Sequence, residues 1–295
     1  RSIHLITLIE KYAPGIFFYF EVRAEFIDRA LSKAFTRIPC ALQIGLQSSN
    51  LQVLKNVNRT FDEKKFKRNV GYLNEDGVVF GFDLIYGLPG DNLEGFKKSV
   101  DFALSLYPNN LETFPLSVLA GTDLYENASS FFLKFQENPP YHLIKSNTFS
   151  EEEMKKAQML SFSVNLFYNQ GRAVSWFLSA VKFLHKTPSS VLEEFYTWFV
   201  NNKNNGKNPE FDECISFSHR QIEKMQIEFF QEVFKSKSKE KFFTPFSDLI
   251  KFYAAVSRVS FDSIEETVSF LYSPDEIATP YALDIKFFTE HFKKK

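Results

Sequence analysis

Apolar positions along roughly the first 120 residues follow two repeats in turn. In some segments every second residue is apolar, and in others the apolar residues lie three or four positions apart. The first repeat is typical of strands and the second of helices. The pattern predicts strands at residues 16–23, 41–46, 78–85 and 110–116, separated by helices at residues 2–12, 26–35, 61–76 and 92–106.

Polar residues and a glycine support three of these helix boundaries. Thr60 and Glu63 have the spacing of a capping box before the third predicted helix, and Asp91 and Glu94 repeat that spacing before the fourth. Gly77 stands where a glycine in the left-handed conformation commonly ends a helix. Strands that alternate with helices in this way form parallel sheets.

The faces of the first three predicted strands distinguish between two parallel folds. One face of each strand is apolar, whereas the other carries polar groups near the C-terminal end, among them Glu21, Gln47 and Asp83. A doubly wound sheet covers both faces with helices and would bury these groups away from water. A barrel points them into its mouth, where barrel enzymes keep their chemistry. The sequence therefore favours an α/β fold of the TIM-barrel type.

The pattern changes after about residue 126. Asn138-Pro139-Pro140 indicates a linker, and Ser150 with Glu153 forms a capping box before a helix predicted at residues 150–168. Further helices are predicted at residues 189–201, 218–234, 244–256 and 263–272, and a polar loop at residues 201–209. We therefore expect a barrel portion over residues 1–128, a linker over 129–149 and an all-helical C-terminal domain over 150–295.

Composition narrows the possible partners. The formal net charge of −1 gives no reason to expect a nucleic-acid partner. No apolar run reaches the ~20 residues of a membrane helix, so we expect no membrane partner. The two cysteines, Cys40 and Cys214, and the five histidines lack ligand spacing, so this sequence alone predicts no metal site. Free thiols are typical of a reducing compartment, which predicts a cytoplasmic protein.

The strongest local signal is the turn Gly87-Leu88-Pro89-Gly90, which follows the strand holding Asp83. Glycines there let the backbone approach a ligand closely, but a tight strand-to-helix turn explains them equally well. Arg59, taken alone, is more typical of a surface cation. Glu21 and Arg23 could simply pair with each other.

Five segments, taken together and in order, resemble a known family. They are Phe20-Glu21-Val22-Arg23-Ala24-Glu25, Ile44-Gly45-Leu46-Gln47-Ser48, Leu54-Lys55-Asn56-Val57-Asn58-Arg59, Asp83-Leu84-Ile85-Tyr86-Gly87-Leu88-Pro89-Gly90 and Leu116-Ser117-Val118-Leu119-Ala120-Gly121-Thr122. Residues 1–128 are similar in the order and spacing of these segments to the second half of the radical S-adenosylmethionine (radical SAM) core. The resemblance is greatest to radical SAM proteins that also carry an N-terminal cobalamin-binding domain. Oxygen-independent coproporphyrinogen oxidase shares several of the segments.

The resemblance implies a partial (β/α)6 TIM-type barrel, with the third to sixth strands present here. It implies an enzyme that draws on an electron donor and a 4Fe–4S cluster to cleave S-adenosylmethionine reductively to a 5′-deoxyadenosyl radical. The alternative outcome is methyl transfer with cobalamin, and the substrate, a small molecule or otherwise, is unknown in both cases.

The cluster is the main departure from the family. Family members bind it through CxxxCxxC, a motif that this chain lacks. The chain also begins without methionine, on a helical pattern. We therefore expect a C-terminal fragment of a longer protein, inactive by itself. The cluster cysteines and any cobalamin domain would then precede Arg1.

The resemblance also implies a cofactor site. By match to coproporphyrinogen oxidase, Glu21, Gln47, Arg59 and Asp83 would hold the methionine and ribose portions of S-adenosylmethionine, and Ile85 would lie against the adenine. The chemistry agrees, because a zwitterionic amino acid needs one anionic and one cationic partner. An arginine can offer a bidentate fork to the cofactor's carboxylate.

Two other interpretations stay open at this stage. A degenerate barrel without catalytic activity could serve as a binding or structural module, and cysteines upstream would distinguish the two cases. An unrelated α/β enzyme could bind phosphate at the turn of residues 87–91, although Leu88-Pro89 interrupts the glycine-rich nest that phosphate favours.

Overall fold

A computed structural model describes residues 1–204, 206–209 and 217–294. Its first unit is built on a four-stranded parallel sheet in the order β1-β2-β3-β4. The strands are β1 (Phe18–Val22), β2 (Cys40–Gln47), β3 (Phe80–Tyr86) and β4 (Asn110–Pro115). All four predicted strands and their parallel arrangement are confirmed. Closure into a partial six-stranded barrel stays a prediction.

Helices precede, connect and follow the strands of this sheet. They are α1 (Ser2–Tyr12), α2 (Arg29–Phe35), α3 (Leu51–Asn56), α4 (Glu63–Asp76), α5 (Leu93–Leu104) and α6 (Asp123–Glu126). The core of this unit lies on the apolar face of the sheet, where Ile44, Phe82 and Leu84 are fully buried together with Val70 of α4 and Val100 of α5. Burial of these side chains leaves the opposite face of the sheet for polar groups.

Two helix caps differ from the prediction. Asp62 caps α4 by accepting a hydrogen bond from the Lys65 N–H, so Thr60 and Glu63 do not form the capping box. Asn92 caps α5 in the same way, and the neighbouring Asp91 is buried instead. In each case a closer Asp or Asn, which caps well, supplies the oxygen. The predicted stop of α4 at Gly77 is confirmed, with φ of 72°.

A short antiparallel hairpin follows β4 in the segment predicted to be a linker. Its strands are β5 (Lys134–Phe135) and β6 (Leu143–Lys145). The hairpin is tied to the chain after β4, because the Leu143 N–H donates to the Leu116 carbonyl at 2.8 Å. These residues therefore lie within the first compact unit.

Helix α7 (Glu151–Ser163) comes next, with the predicted capping box between Ser150 and Glu153 confirmed. The predicted helix to residue 168 continues past Ser163 as a π-helical segment. Near its end, the Ser161 hydroxyl lies 2.6 Å from that of Thr113 on β4. Along the chain, the boundary between the two compact units falls after Ser161, inside α7. The division predicted at residues 128 and 150 stays a prediction about domains.

The second unit, Phe162–Lys295, is helical wherever it has regular structure in the residues described. Its helices are α8 (Phe177–Leu184), α9 (Pro188–Lys203), α10 (His219–Ser236), α11 (Phe243–Ser257), α12 (Pro274–Ile277) and α13 (Ile285–His291). An aromatic core forms its centre, in which Phe167, Trp176, Phe230 and Phe246 are at most 1% exposed. Among the described helices, none is long and apolar enough to cross a membrane.

Three of the four helices predicted after residue 188 are confirmed. The fourth, at residues 263–272, is wrong, because this segment is irregular. The buried Asp248 carboxylate accepts hydrogen bonds from the Leu271 and Tyr272 N–H groups, which are therefore not bonded to helical carbonyls. Cys214, Lys295 and part of the polar loop at 201–209 lie outside the described residues.

Candidate functional site

The register of the sheet brings the predicted polar residues onto one face. Gly45 pairs with Asp83, and Asp83 pairs with Glu112, so these residues form one row across β2, β3 and β4. Glu21 pairs with Gln43 in the row towards the start of the strands. Side chains alternate along a strand, so the side chains of these two rows point to the same face.

A hydrogen-bonded chain runs across this face. The Tyr19 hydroxyl donates to Gln43 Oε1 at 2.6 Å, and Gln43 Nε2 donates to Asp83 Oδ1 at 2.5 Å. Gln43 lies flat because Gly81 leaves room beside it: a Cβ at residue 81 would come within 2.7 Å of Gln43 Oε1. Gln43, only 6% exposed, therefore fixes the Asp83 carboxylate in place.

Negative charge accumulates around Asp83. Burial is the main reason that its pKa is raised, and the carboxylates of Glu112 and Glu21 raise it further. The Gln43 hydrogen bond and the Arg59 guanidinium act in the opposite direction. Three carboxylates thus share this face with one nearby arginine, an arrangement that favours a cationic ligand.

Arg59 reaches the same face from the end of α3. Asn50 caps the start of that helix, and Asn58, in the left-handed region at φ of 57°, turns the chain after it. The Arg59 guanidinium then lies 3.4 Å from the Gly45 carbonyl oxygen. This placement explains why the Arg59 charge acts to lower the pKa of Asp83.

Gln47 ends β2 at a bulge, with φ of 67°. Its side-chain oxygen is buried and has no hydrogen-bond partner among the described residues. A Cβ on Gly45 would approach Gln47 Nε2 to 2.9 Å and Arg59 Nη1 to 3.5 Å. Gly45, Gln47 and Arg59 therefore form a narrow cradle with one free acceptor, which we call the Gly45 cradle.

The remaining predicted positions are placed as follows. Ile85 lies one row beyond Asp83, opposite Phe114, whose side chain is 46% exposed. Glu21 is exposed on the same face. Arg23 pairs with Glu25 at 3.0 Å, so the simple pairing of Glu21 with Arg23 is not the arrangement found.

The turn at residues 87–91 does not have the character of a phosphate site. Gly87 is covered, since a Cβ there would lie 2.8 Å from Leu143 and 3.1 Å from the Met154 sulfur. Asp91 is 2% exposed, and burial raises its pKa to about 6. A buried carboxyl group at this turn would repel a phosphate, so the tight-turn interpretation is favoured.

No cluster of three or more potential metal ligands occurs among the residues that the structure describes. Cys40 lies at the start of β2, where its thiol is 3.6 Å from the Phe35 carbonyl oxygen. Burial raises the pKa of this thiol. These properties are typical of a structural cysteine.

The sequence placed Gln43 on this face, but neither Gln43 nor Glu112 was predicted to be a site residue. Gln43 has the same parity along β2 as Gln47, which was a usable signal. Glu112 lies opposite Asp83 in the register, and its position depended on knowing how β3 and β4 align.

The geometry can be set beside known proteins. No protein-family profile matches the chain. It is 32% identical over 91 residues to the oxygen-independent coproporphyrinogen III oxidase of Helicobacter pylori strain J99, a match over 30% of this chain and 19% of that protein. The similarity supports the resemblance of this chain to the radical SAM superfamily. The chain spans about a fifth to about a half of the length of the curated relatives it matches.

Two solved structures can be compared with the chain. Coproporphyrinogen III oxidase (HemN) from Escherichia coli, described as a radical SAM enzyme, has a TM-score of 0.37 and 19% identity, covering 53% of this chain and 42% of its own. TsrM from Kitasatospora setae, a radical S-adenosylmethionine methyltransferase, has a TM-score of 0.39 and 14% identity, covering 47% of this chain and 30% of its own. These values are too low to align individual site residues.

Proposed function

We propose that this chain supplies the S-adenosylmethionine-binding half of a radical SAM enzyme. Glu21 and Arg59 would hold the amino and carboxylate ends of the methionine portion. Gln47 and Asp83 would hold the ribose hydroxyls, and Ile85 would lie against the adenine. The observation that carries the proposal is the convergence of Arg59, Gln47 and Asp83 on one face of the sheet around Gly45.

The residues present suit that ligand. S-adenosylmethionine carries a positive sulfonium and a positive ammonium group, and the face has a surplus of carboxylates around Asp83. The unpartnered Gln47 oxygen offers an acceptor for a ribose hydroxyl. Buried polar atoms normally have partners, so the proposal assigns the orphaned acceptor beside the Gly45 cradle to a hydroxyl of the ligand.

The cluster does not fit this chain. A 4Fe–4S cluster bound by CxxxCxxC needs three thiolates, and the sequence has two cysteines, far apart. The proposal therefore places the cluster ligands outside these 295 residues. The chain alone would be inactive, and an electron donor would act on the complete protein.

The cluster would supply the electron for reductive cleavage of S-adenosylmethionine. Formation of a 5′-deoxyadenosyl radical and cobalamin-dependent methyl transfer would both require S-adenosylmethionine at this face. The substrate class is left open, and a reducing, cytoplasmic setting without a nucleic-acid or membrane partner is part of the proposal.

Cofactor affinity tests the site directly. We expect Asp83→Ala to weaken S-adenosylmethionine binding by the complete protein about tenfold or more, as measured by isothermal titration calorimetry. Loss of a hydrogen bond to a charged group has this magnitude. Glu94→Ala is the matched control, since Glu94 is an exposed carboxylate in the first turn of α5.

Equal affinities of the two variants would remove Asp83 from the site. A circular dichroism melt of each variant separates loss of binding from loss of folding. If the wild-type complete protein binds the cofactor without cluster cysteines in its sequence, the chain belongs to a non-catalytic binding module.

A further inference from the structure

A cavity lies wholly within the helical unit. It has a volume of about 450 Å³, opens to solvent, and lies between α8, the short helical turn at Glu240–Phe242 and the start of α13. This volume is within the range of small-molecule sites, about 300–1,000 Å³. We refer to it as the α8–α13 cavity.

The floor of the cavity is apolar and held in place by ring packing. Phe183, Phe242, Leu283 and Ile285 line it. The Phe183 ring lies edge-on to Phe242 at 5.0 Å and stacks on Phe234 at 5.4 Å. Such a floor offers a preformed surface for an aromatic or aliphatic body.

The rim of the cavity is basic. Lys182, Lys239 and Lys286 line it. Among the described residues, none of these three ammonium groups forms an ion pair with a carboxylate. The one acidic residue in the lining, Asp284, accepts a hydrogen bond from the Phe287 N–H as the cap of α13. The rim therefore carries a surplus of positive charge.

Contacts within the protein hold Lys239 of this rim in place. Its ammonium donates to the Phe183 carbonyl at 3.1 Å and lies 4.4 Å from the centre of the Phe183 ring. That hydrogen bond uses one of three N–H donors and leaves two for a ligand. A fixed cation above an apolar floor reduces the ordering that binding requires.

We infer that the α8–α13 cavity binds a small amphipathic organic anion, with an aromatic or aliphatic body on the floor and a carboxylate or phosphate ester at the lysine rim. Charge complementarity selects the anion, and the apolar floor selects its body. This site is independent of the proposed cofactor face.

Three probes with the same ring system separate charge from shape. Calorimetric titration of the full chain with 2-naphthoate, 2-naphthyl phosphate and neutral 2-naphthamide gives the three affinities. We expect either anion to bind at least tenfold more tightly than the amide. The tighter of the two anions identifies the preferred head group. Comparable affinity for the amide, or no binding of either anion at millimolar concentration, would overturn the inference.

Charge reversal at the rim locates the site. The double variant Lys182→Glu with Lys286→Glu should weaken naphthoate binding by about tenfold or more, because both side chains are exposed and contribute charge more than packing. The control, Lys235→Glu with Lys237→Glu, makes the same change of charge on exposed residues outside the lining. It should change affinity less than twofold, and equal losses in both double variants would contradict the site.

Discussion

Arg258 in the helical unit and Asp83 on the sheet are both charged groups withdrawn from water, but their surroundings differ. Arg258 is 3% exposed and donates to Glu266 at 2.6 Å and to Glu223 at 2.7 Å, so its charge is balanced within the protein. Asp83 faces two further carboxylates, with one neutral amide as its close donor.

The difference separates a structural ion network from a site that lacks a counter-charge. In the Arg258 network, the guanidinium charge is balanced by two carboxylates, those of Glu223 and Glu266. The carboxylates of Glu112 and Glu21 repel that of Asp83 and raise its pKa. Perturbed groups of the second kind are typical of functional sites. The experiments below test this contrast, beginning with the largest expected effect.

Removing the cation of the balanced network should destabilise the helical unit most. Arg258→Met leaves Glu223 and Glu266 buried without their partner, which we expect to reduce the free energy of unfolding by about 3–5 kcal/mol. Both tryptophans, Trp176 and Trp198, lie in this unit, so urea unfolding followed by tryptophan fluorescence reports it.

Arg220→Met is the control for that experiment. Arg220 is another cation beside Glu266, but its side chain is 60% exposed. An exposed pair contributes about 0–1 kcal/mol. If the two variants lose similar stability, Arg258 does not hold the network together.

Asp91 should make the first unit less stable as the pH rises. Its folded pKa of about 6 lies above the ordinary 3.8, so the folded protein binds the proton more tightly than the unfolded chain. The stabilisation is complete below pH ~4 and is lost as the pH passes ~6. Asp91→Asn should therefore raise the free energy of unfolding above that of the wild type, and this gain should be roughly 2 kcal/mol larger at pH 7 than at pH 4.

Amide hydrogen exchange in β2 and β3 measures this effect. The asparagine keeps the oxygen that accepts from the Asn92 N–H, so the local hydrogen bond is preserved. The exchange rates are corrected for the pH dependence of intrinsic amide exchange. If the wild-type protein then loses no protection between pH 4 and pH 7, the prediction is contradicted.

His219 should give the helical unit the opposite response. Burial, reinforced by Arg172 and Arg258, lowers its pKa to about 4. The unfolded chain therefore binds the proton more tightly, and stability falls as the pH drops from ~6.5 towards ~4. His219→Gln should remove a loss of roughly 1–2 kcal/mol over this interval. Tryptophan fluorescence at a series of pH values tests it, and an unchanged pH profile in the variant would exclude His219 as the cause.

The smallest effect concerns the charge around Asp83. Glu112→Gln removes one repelling carboxylate, so the pKa of Asp83 should fall. Carboxyl NMR titration of the full chain measures the change, and Glu94→Gln, at an exposed position of α5, serves as the control. A pKa of Asp83 that does not move would mean that burial alone raises it.

Much of the site could be predicted because strand alternation is a local property. The parity of Glu21 and Asp83 within their strands was enough to place them on one face, whereas Gln47 lies at the bulge that ends β2, where alternation alone does not fix its side chain. The bridge from Gln43 to Asp83 could not be found this way, since it depends on the alignment of two strands and on the missing side chain of Gly81.

Long-range hydrogen bonds limited the prediction of the helical unit. Residues 263–272 have apolar spacing suited to a helix, but the Asp248 carboxylate, more than 20 positions earlier, binds the N–H groups at their end. A tertiary contact of this kind overrides local propensity. Similarly, only the folded chain shows that Asp62 rather than Thr60 caps α4.

Gly45 has a practical consequence for studying this protein in cells. An alanine there would add a single methyl group against the movable Gln47 amide and Arg59 side chain, leaving every charge and every predicted cofactor contact in the sequence. Such an allele would displace the Gln47 amide by bulk alone and would so disturb the proposed site without removing a polar group. Comparing its phenotype with that of Asp83→Ala would tell a geneticist whether the organism depends on a filled cradle or only on the presence of the folded protein.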